Sequence, residues 1–223
     1  MAKHLDLEEQ EQLDQIKHFW NQYGNAITWV LIVVFGGVAA WNGWNYWQRS
    51  QGAKAAAMYD EVERAVLASD AARLEQVLGD LQKGYGRSTY AAQGALLAAQ
   101  SLESAGKADA ARAALTWVAT DAGDASLKAV ARLRLAALDL EAKAYDQALK
   151  TLSESMPKAF EPLAADRRGD VLLAQQKLDE AKAQYQAAWR GLSDRTEYRQ
   201  LVEVKLAALG VDASAVAASG VAQ

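Results

Sequence analysis

The sequence predicts an all-α protein: a single N-terminal transmembrane helix followed by an α-solenoid of about four helix pairs. Three observations lead there. Residues 26–47, AITWVLIVVFGGVAAWNGWNYW, form a 22-residue stretch with no charged side chain, which as a helix runs roughly 33 Å and crosses a bilayer core. Beyond residue 54 the strong helix formers Ala, Leu, Glu, Lys, Arg and Gln dominate, and strand-like alternation is missing. A short Asp-x-Ala motif recurs through that region at intervals of 39, 37 and 33 residues, as in stacked helical repeats.

A buried core helix is the competing reading of residues 26–47. Against it, the uncharged interval extends from His18 to Gln48, and amphipathic rings crowd both ends: Phe19, Trp20, Tyr23 and Trp29 at the start, Trp41, Trp44, Tyr46 and Trp47 at the finish. A cleaved signal peptide fits poorly, because 25 mostly polar and acidic residues precede the run and no basic n-region does. Within the span, Gly36, Ala40 and Gly43 fall at i, i+4 and i+7, a small-residue ridge on which another membrane helix can dock closely. Small residues also occur in spans without that role. Asn42 and Asn45 sit on its distal part, within reach of a neighbouring helix or of interfacial water. The preceding segment, residues 5–22, carries Leu13, Ile16, Trp20 and Tyr23 at helical spacing; its five acids oppose attraction to anionic lipid, so docking on a partner stands level with contact at the membrane surface, beside a solvated helical extension of the span. Lys17 before the span, against Arg49 and Lys54 after it, gives a one-residue bias toward a cytoplasmic C-terminal side.

Composition excludes several functions. The 24 Lys and Arg against 28 Asp and Glu leave no basic excess for nucleic acid. Absence of cysteine removes disulfides, thiolate metal sites and a cysteine nucleophile, and both histidines, His4 and His18, precede the span. The region after the span therefore holds no histidine triad or histidine metal site, and phosphate-binding and nucleophile-elbow glycine motifs are missing. Asp121/Asp124 and Asp179/Glu180 read as helix caps and first-turn acids. The expectation is a non-enzymatic protein without metal or cofactor.

Breaks at Ser69-Asp70, Gly84-Tyr85-Gly86, Gly106, Gly123, Met156-Pro157, Gly191 and Gly210 divide the rest into helices at 54–68, 70–83, 88–105, 109–120, 124–142, 145–155, 163–176, 179–190 and 194–209. Asp70, Asp109, Asp146 and Asp179 each open the second helix of a pair. In the best copy Gly169 and Leu172 precede the turn Lys177-Leu178-Asp179-Glu180, and Ala181, Tyr185 and Ala188 follow it; Leu115 and Leu152 occupy the aromatic's place in weaker copies. This resembles the tetratricopeptide repeat, in which small residues let two helices approach and a large one fills the gap to the next pair. A plain Ala-rich bundle is the alternative. Such repeats present a surface lined by the first helix of each pair, here including Gln93, Leu96, Gln100, Leu133, Arg134, Asp166, Arg167 and Asp170; some of these residues would alternatively join neighbouring pairs. The domain reading is 1–25 cytoplasmic segment, 26–47 transmembrane helix, 48–210 repeat domain and 211–223 flexible tail.

The run Glu11-Gln12-Leu13-Asp14-Gln15-Ile16-Lys17-His18-Phe19-Trp20-Asn21-Gln22-Tyr23-Gly24, the span, and Gly43-Trp44-Asn45-Tyr46-Trp47 resemble the YfgM family of bacterial inner-membrane proteins, and the likeness continues through 83–97, 127–136 and 165–189. The resemblance implies an ancillary subunit of the SecYEG translocon with a periplasmic tetratricopeptide-like domain. It also implies partnership with a PpiD-like membrane-anchored periplasmic chaperone and assistance to emerging polypeptides. On orientation it opposes the flanking-charge bias. The alternative function is a membrane-tethered scaffold for another envelope or division complex, with the cytoplasmic side open to it.

Overall fold

A computed structural model describes residues 7–193 and 196–212, with side chains from Leu13 onward. Among these residues the regular elements are helices: α1 (Leu7–Leu67), α2 (Ala71–Tyr85), α3 (Thr89–Ser104), α4 (Ala108–Asp121), α5 (Ala125–Glu141), α6 (Tyr145–Leu152), α7 (Glu161–Ala174), α8 (Leu178–Gly191) and α9 (Glu197–Ala208). A 3-10 turn, Lys158–Phe160, precedes α7. The chain divides into two compact units, one up to Ala53 and one from Lys54 on, and α1 supplies residues to both.

In the first unit α1 is long and apolar enough to cross a membrane, and only 6% of its most apolar window is buried in the protein. A core helix of a soluble protein would be mostly covered, so the exposure of this window opposes the core-helix reading of residues 26–47. Aromatic rings pair at each end of the uncharged stretch, Phe19 with Tyr23 at 5.1 Å and Trp44 with Trp47 at 5.4 Å. Trp20 lies across Gly24, where an added Cβ would come 3.1 Å from the indole.

In the second unit four helix pairs follow one another: the end of α1 with α2, then α3/α4, α5/α6 and α7/α8; α9 comes after them as a further first helix. Each first helix turns into its partner the same way. One residue takes a left-handed conformation, at Ser69 (φ 53°), Gly106 (74°), Lys143 (58°) and Gln176 (64°). The next amide then bonds to a carbonyl five residues back: Asp70 to Ala65 at 3.1 Å, Lys107 to Leu102 at 2.8 Å, Ala144 to Asp139 at 2.8 Å and Lys177 to Leu172 at 2.9 Å. This is the Schellman closure of a helix C-terminus. A fifth copy closes α9, with Gly210 at φ 74° and Val211 N–H on the Leu206 carbonyl at 3.0 Å.

These turns correct the repeat register. The left-handed residues stand 37, 37, 33 and 34 positions apart, whereas the Asp-x-Ala motif mixes two structural positions. Asp70 is a true N-cap, accepting from Arg73 N–H at 3.0 Å. Asp109, Asp146 and Asp179 lie instead in the first turn of helices that have no side-chain cap, where the positive end of the helix dipole favours an acid. Of the other acids, Asp124 caps α5 through Ser126 and Leu127 N–H, while Asp121 is the last residue of α4 and is no cap. The helix expected over 145–155 stops at Leu152, and α7 begins at Glu161 rather than 163 because Pro162 suits a first helical turn, where its missing N–H costs nothing. The expected start of the last helix at Asp194 and the tail beyond residue 212 lie outside the described residues.

Counting from each turn, the fifth residue after it is fully buried: Leu74, Ala111, Ala148 and Ala181. The ninth is large and buried: Leu78, Leu115, Leu152 and Tyr185. Seven before it stand Val62, Ala99, Ala136 and Gly169, all buried. Small against large at the crossing brings the two helices together. The contact is tightest in the fourth pair, where a Cβ on Gly169 would sit 2.5 Å from the Tyr185 ring. Gly169→Ala is therefore expected to destabilise by roughly 1–3 kcal/mol through overpacking. Gly79→Ala, whose added Cβ meets nothing within 4 Å, should instead stabilise by about 0.5–1 kcal/mol. Urea unfolding of the full chain in detergent, followed by helical circular dichroism, reads both; the same sign for the two would refute the packing assigned to Gly169.

Candidate functional site

The turn register places the eight expected groove residues on one face. Gln93, Leu96 and Gln100 stand thirteen, ten and six residues before Gly106; Leu133 and Arg134 ten and nine before Lys143; Asp166, Arg167 and Asp170 ten, nine and six before Gln176. They occupy equivalent positions on α3, α5 and α7, first helices that touch in sequence, α3 with α5 and α5 with α7.

Burial separates them into two strips. Gln93, Gln100 and Arg134 are exposed; Leu133, Arg167 and Asp170 are half-buried; Leu96 and Asp166 are buried. The buried strip forms the seam between successive first helices. Arg134 crosses the first seam, donating from Nη1 to the Leu96 carbonyl at 3.0 Å. The same register adds positions that sequence reasoning missed: Asp60 and Glu63 on α1, Leu97 on α3, Ala137 on α5, and Leu201 and Val204 on α9, the last two exposed. Only the turn positions reveal them, and the turns at Ser69, Lys143 and Gln176 carry no glycine to mark them.

The seam from α7 to α9 is polar. Asp166, fully buried, accepts from Tyr198 Oη at 2.6 Å and from Lys205 Nζ at 2.8 and 2.9 Å. Asp170 accepts from Lys205 Nζ at 2.6 Å, from Tyr185 Oη at 2.8 Å and from Arg167 Nη1 at 3.4 Å. Burial, reinforced by these carboxylates, pushes both tyrosine hydroxyls far above their ordinary range, so they act as fixed donors. Two acids are thus matched by Lys205 and Arg167, leaving the cluster without net charge. A second buried acid, Asp139, is paired with Arg112 across α4 and α5. Among the described residues no cluster of three His, Cys, Asp or Glu is arranged to hold a metal.

On α1, Gly36, Ala40 and Gly43 are exposed, and a Cβ added at Gly36 or Gly43 meets nothing within 4 Å. The ridge is open along its length in this chain.

The tetratricopeptide repeat-like domain family matches residues 17–211, from just before the span to the fifth turn. An ancillary SecYEG translocon subunit of Neisseria gonorrhoeae is 34% identical over 94% of this chain and 100% of its own length. The chain belongs to the family of ancillary SecYEG translocon subunits. Other members bearing that name are 29% identical in Escherichia coli, over 80% of this chain and 86% of the relative, and 27% identical in Haemophilus influenzae, over 90% and 97%. No solved structure matches the chain. The family is named for a part in a translocon and not for a reaction.

The α7–α9 cluster yields a test of its own. Lys205→Met would leave two carboxylates, one fully buried, without their shared cation, and is expected to cost about 3 kcal/mol. Tyr198→Phe removes one hydrogen bond to a charged acceptor and should cost about 1.5–3 kcal/mol. Non-additivity in the double variant, read by urea unfolding of the full chain, is expected because both act on Asp166; strict additivity would separate them.

Proposed function

We propose that this chain is a membrane-anchored interaction subunit working beside the Sec translocon: residues 26–47 hold it in the bacterial inner membrane, and the repeat domain, 48–210, faces the periplasm and contacts a PpiD-like chaperone and emerging polypeptides. The translocon name shared by relatives matched over nearly their whole length carries this reading. The open ridge Gly36, Ala40 and Gly43 supports helix-to-helix docking in the membrane, where small residues let backbones approach. The face containing Gln93, Arg134 and Arg167 supports contact with a partner segment, as the inner surfaces of repeat solenoids do. Residues 1–25 are assigned to the cytoplasm and 211–223 to a tail.

Photocrosslinkers at Gly36 and Ala40 in intact cells are expected to capture translocon or chaperone membrane helices; exclusive capture of unrelated proteins would reject the docking face. A reporter fused after Gln223 should be active in the periplasm. Activity confined to the cytoplasm would instead support the scaffold reading and end the export role.

A further inference from the structure

The helix α1 carries a second unpartnered face. Leu13, Ile16, Trp20 and Tyr23 follow one another at intervals of three, four and three residues, the spacing of a seam between paired helices. All four are exposed, Leu13 at 42% and Ile16 at 64%, and α1 runs through them without a break. They do not continue the small-residue ridge. Ile16, Trp20 and Tyr23 precede Gly36, Ala40 and Gly43 by twenty residues each, about five and a half turns, so the two sets look out from roughly opposite sides of the helix. Depth sets part of the seam apart from the bilayer as well. At a rise of about 1.5 Å per residue, Tyr23 and Trp20 stand roughly 5 and 9 Å outside Ala26, at headgroup depth, whereas Ile16 and Leu13 stand roughly 15 and 20 Å out, beyond a headgroup layer of about 5–8 Å. The bilayer therefore accounts for the two rings and leaves the two aliphatic side chains uncovered. Anionic lipid does not draw them down either, because residues 1–25 carry five acids against two lysines, and Lys17 is engaged with Asp14 at 3.5 Å.

We propose that this seam docks the cytoplasmic end of a second membrane helix, one whose turns just outside the bilayer carry aliphatic residues together with Lys or Arg. On that proposal, which rests on the assignment of residues 1–25 to the cytoplasm, α1 lies between two neighbours, one on the ridge and one on the seam. Membrane proteins concentrate their Lys and Arg on the cytoplasmic side, so an acidic segment finds opposite charge on the helix ends around it. A membrane helix fits better than a soluble one. Residues 13–23 make only about three turns, too short to hold a helix from solution, while two helices already held side by side by the bilayer meet at high effective concentration. A second copy of this chain fits worse, because it would set five acids against five.

The test uses the full chain in phosphatidylcholine vesicles, with Gln15→Cys beside the seam carrying an environment-sensitive dye; the chain has no cysteine of its own, so the label is unique. The probes are three synthetic peptides, each an Ala/Leu membrane span extended by three helical turns with Leu at the seam positions and Lys, Gln or Glu at the flanking ones. Without peptide the dye should report water, both in these vesicles and in vesicles containing phosphatidylglycerol. An apolar signal there would assign the seam to lipid and overturn the proposal, as would a signal that grows with the density of the chain alone, which marks a second copy. The Lys peptide should blue-shift the dye at about tenfold lower density than the Gln peptide, the difference that two or three exposed ion pairs supply, and the Glu peptide should leave it unshifted. High salt should narrow the gap. Leu13→Ser should weaken the response to the Lys peptide several-fold with circular dichroism unchanged, whereas Gly36→Leu should leave it intact. The reverse pattern would put the peptide on the ridge and overturn the seam; equal response to the three peptides would overturn the basic partner, and no response to any would overturn docking itself. The dye reads pairing whichever way the chain crosses the bilayer, so those failures strike the seam alone, while a Gln223 reporter active only in the cytoplasm would overturn the placement of residues 1–25.

Discussion

The second unit depends on a single constraint: each first helix must reverse into its partner through one left-handed residue, with the following amide bonded to a carbonyl five residues back. That closure sets where the second helix starts, and so which residues meet at the crossing. In the last three pairs position five after the turn is alanine, position nine fills the gap, and position seven before it is alanine or glycine, whereas the first pair places Leu74 and Val62 at the small positions. The fourth pair shows the trade most clearly. Tyr185 occupies the volume that a side chain at position 169 would need, so the largest buried side chain of the core is purchased with a glycine. The conformation itself is strained for Ser69, Lys143 and Gln176, of order 1 kcal/mol each for a residue with a Cβ, and it persists because the bond and the crossing offset it.

Much of this was readable from the residues. Gly169, Ala181, Tyr185 and Ala188, identified by spacing alone, are buried together as the repeat pattern requires, and Leu115 and Leu152 stand where the weaker copies place them. The uncharged stretch announced itself by length and by the rings at its ends. The turn register was hidden for a physical reason: three of the four turns between paired helices use Ser, Lys or Gln in a conformation usually marked by glycine. An acid near the start of a helix also serves equally as N-cap or as dipole partner, so Asp70 and Asp109 look alike in sequence and differ in structure. Residues 153–155 were read as helix because the nearest visible break is Met156-Pro157, whereas the helix ends at Leu152 and Ser153 closes it through bonds to the Leu149 and Lys150 carbonyls.

The site was legible as a face but not as a set of roles. Equivalent spacing found Gln93, Arg134 and Arg167, which remain at the surface, together with Leu96 and Asp166, which do not. No rule of composition separates an aspartate offered to a partner from one that holds the next helix; only the position of Lys205, 39 residues away from Asp166, decides it. Leu201 and Val204 were missed because α9 has no described partner helix to complete its motif.

The polar seam then explains the character of the exposed strip. A buried carboxylate pair sharing one ammonium is seldom more stabilising than an apolar contact of equal volume, because desolvation offsets most of the attraction. What such a cluster provides is direction: Tyr198 and Lys205 meet Asp166 in one register of α9 against α7 and in no neighbouring one, whereas Val202 and Leu206 would tolerate a slip. The same pairing withdraws both aspartates from the face that α7 shares with α5. With the acids engaged in holding the last helix, Arg167 completes their neutralisation and Arg134 is left as an exposed cation on α5. An interaction that looks purely structural thereby withdraws charge from the surface beside it.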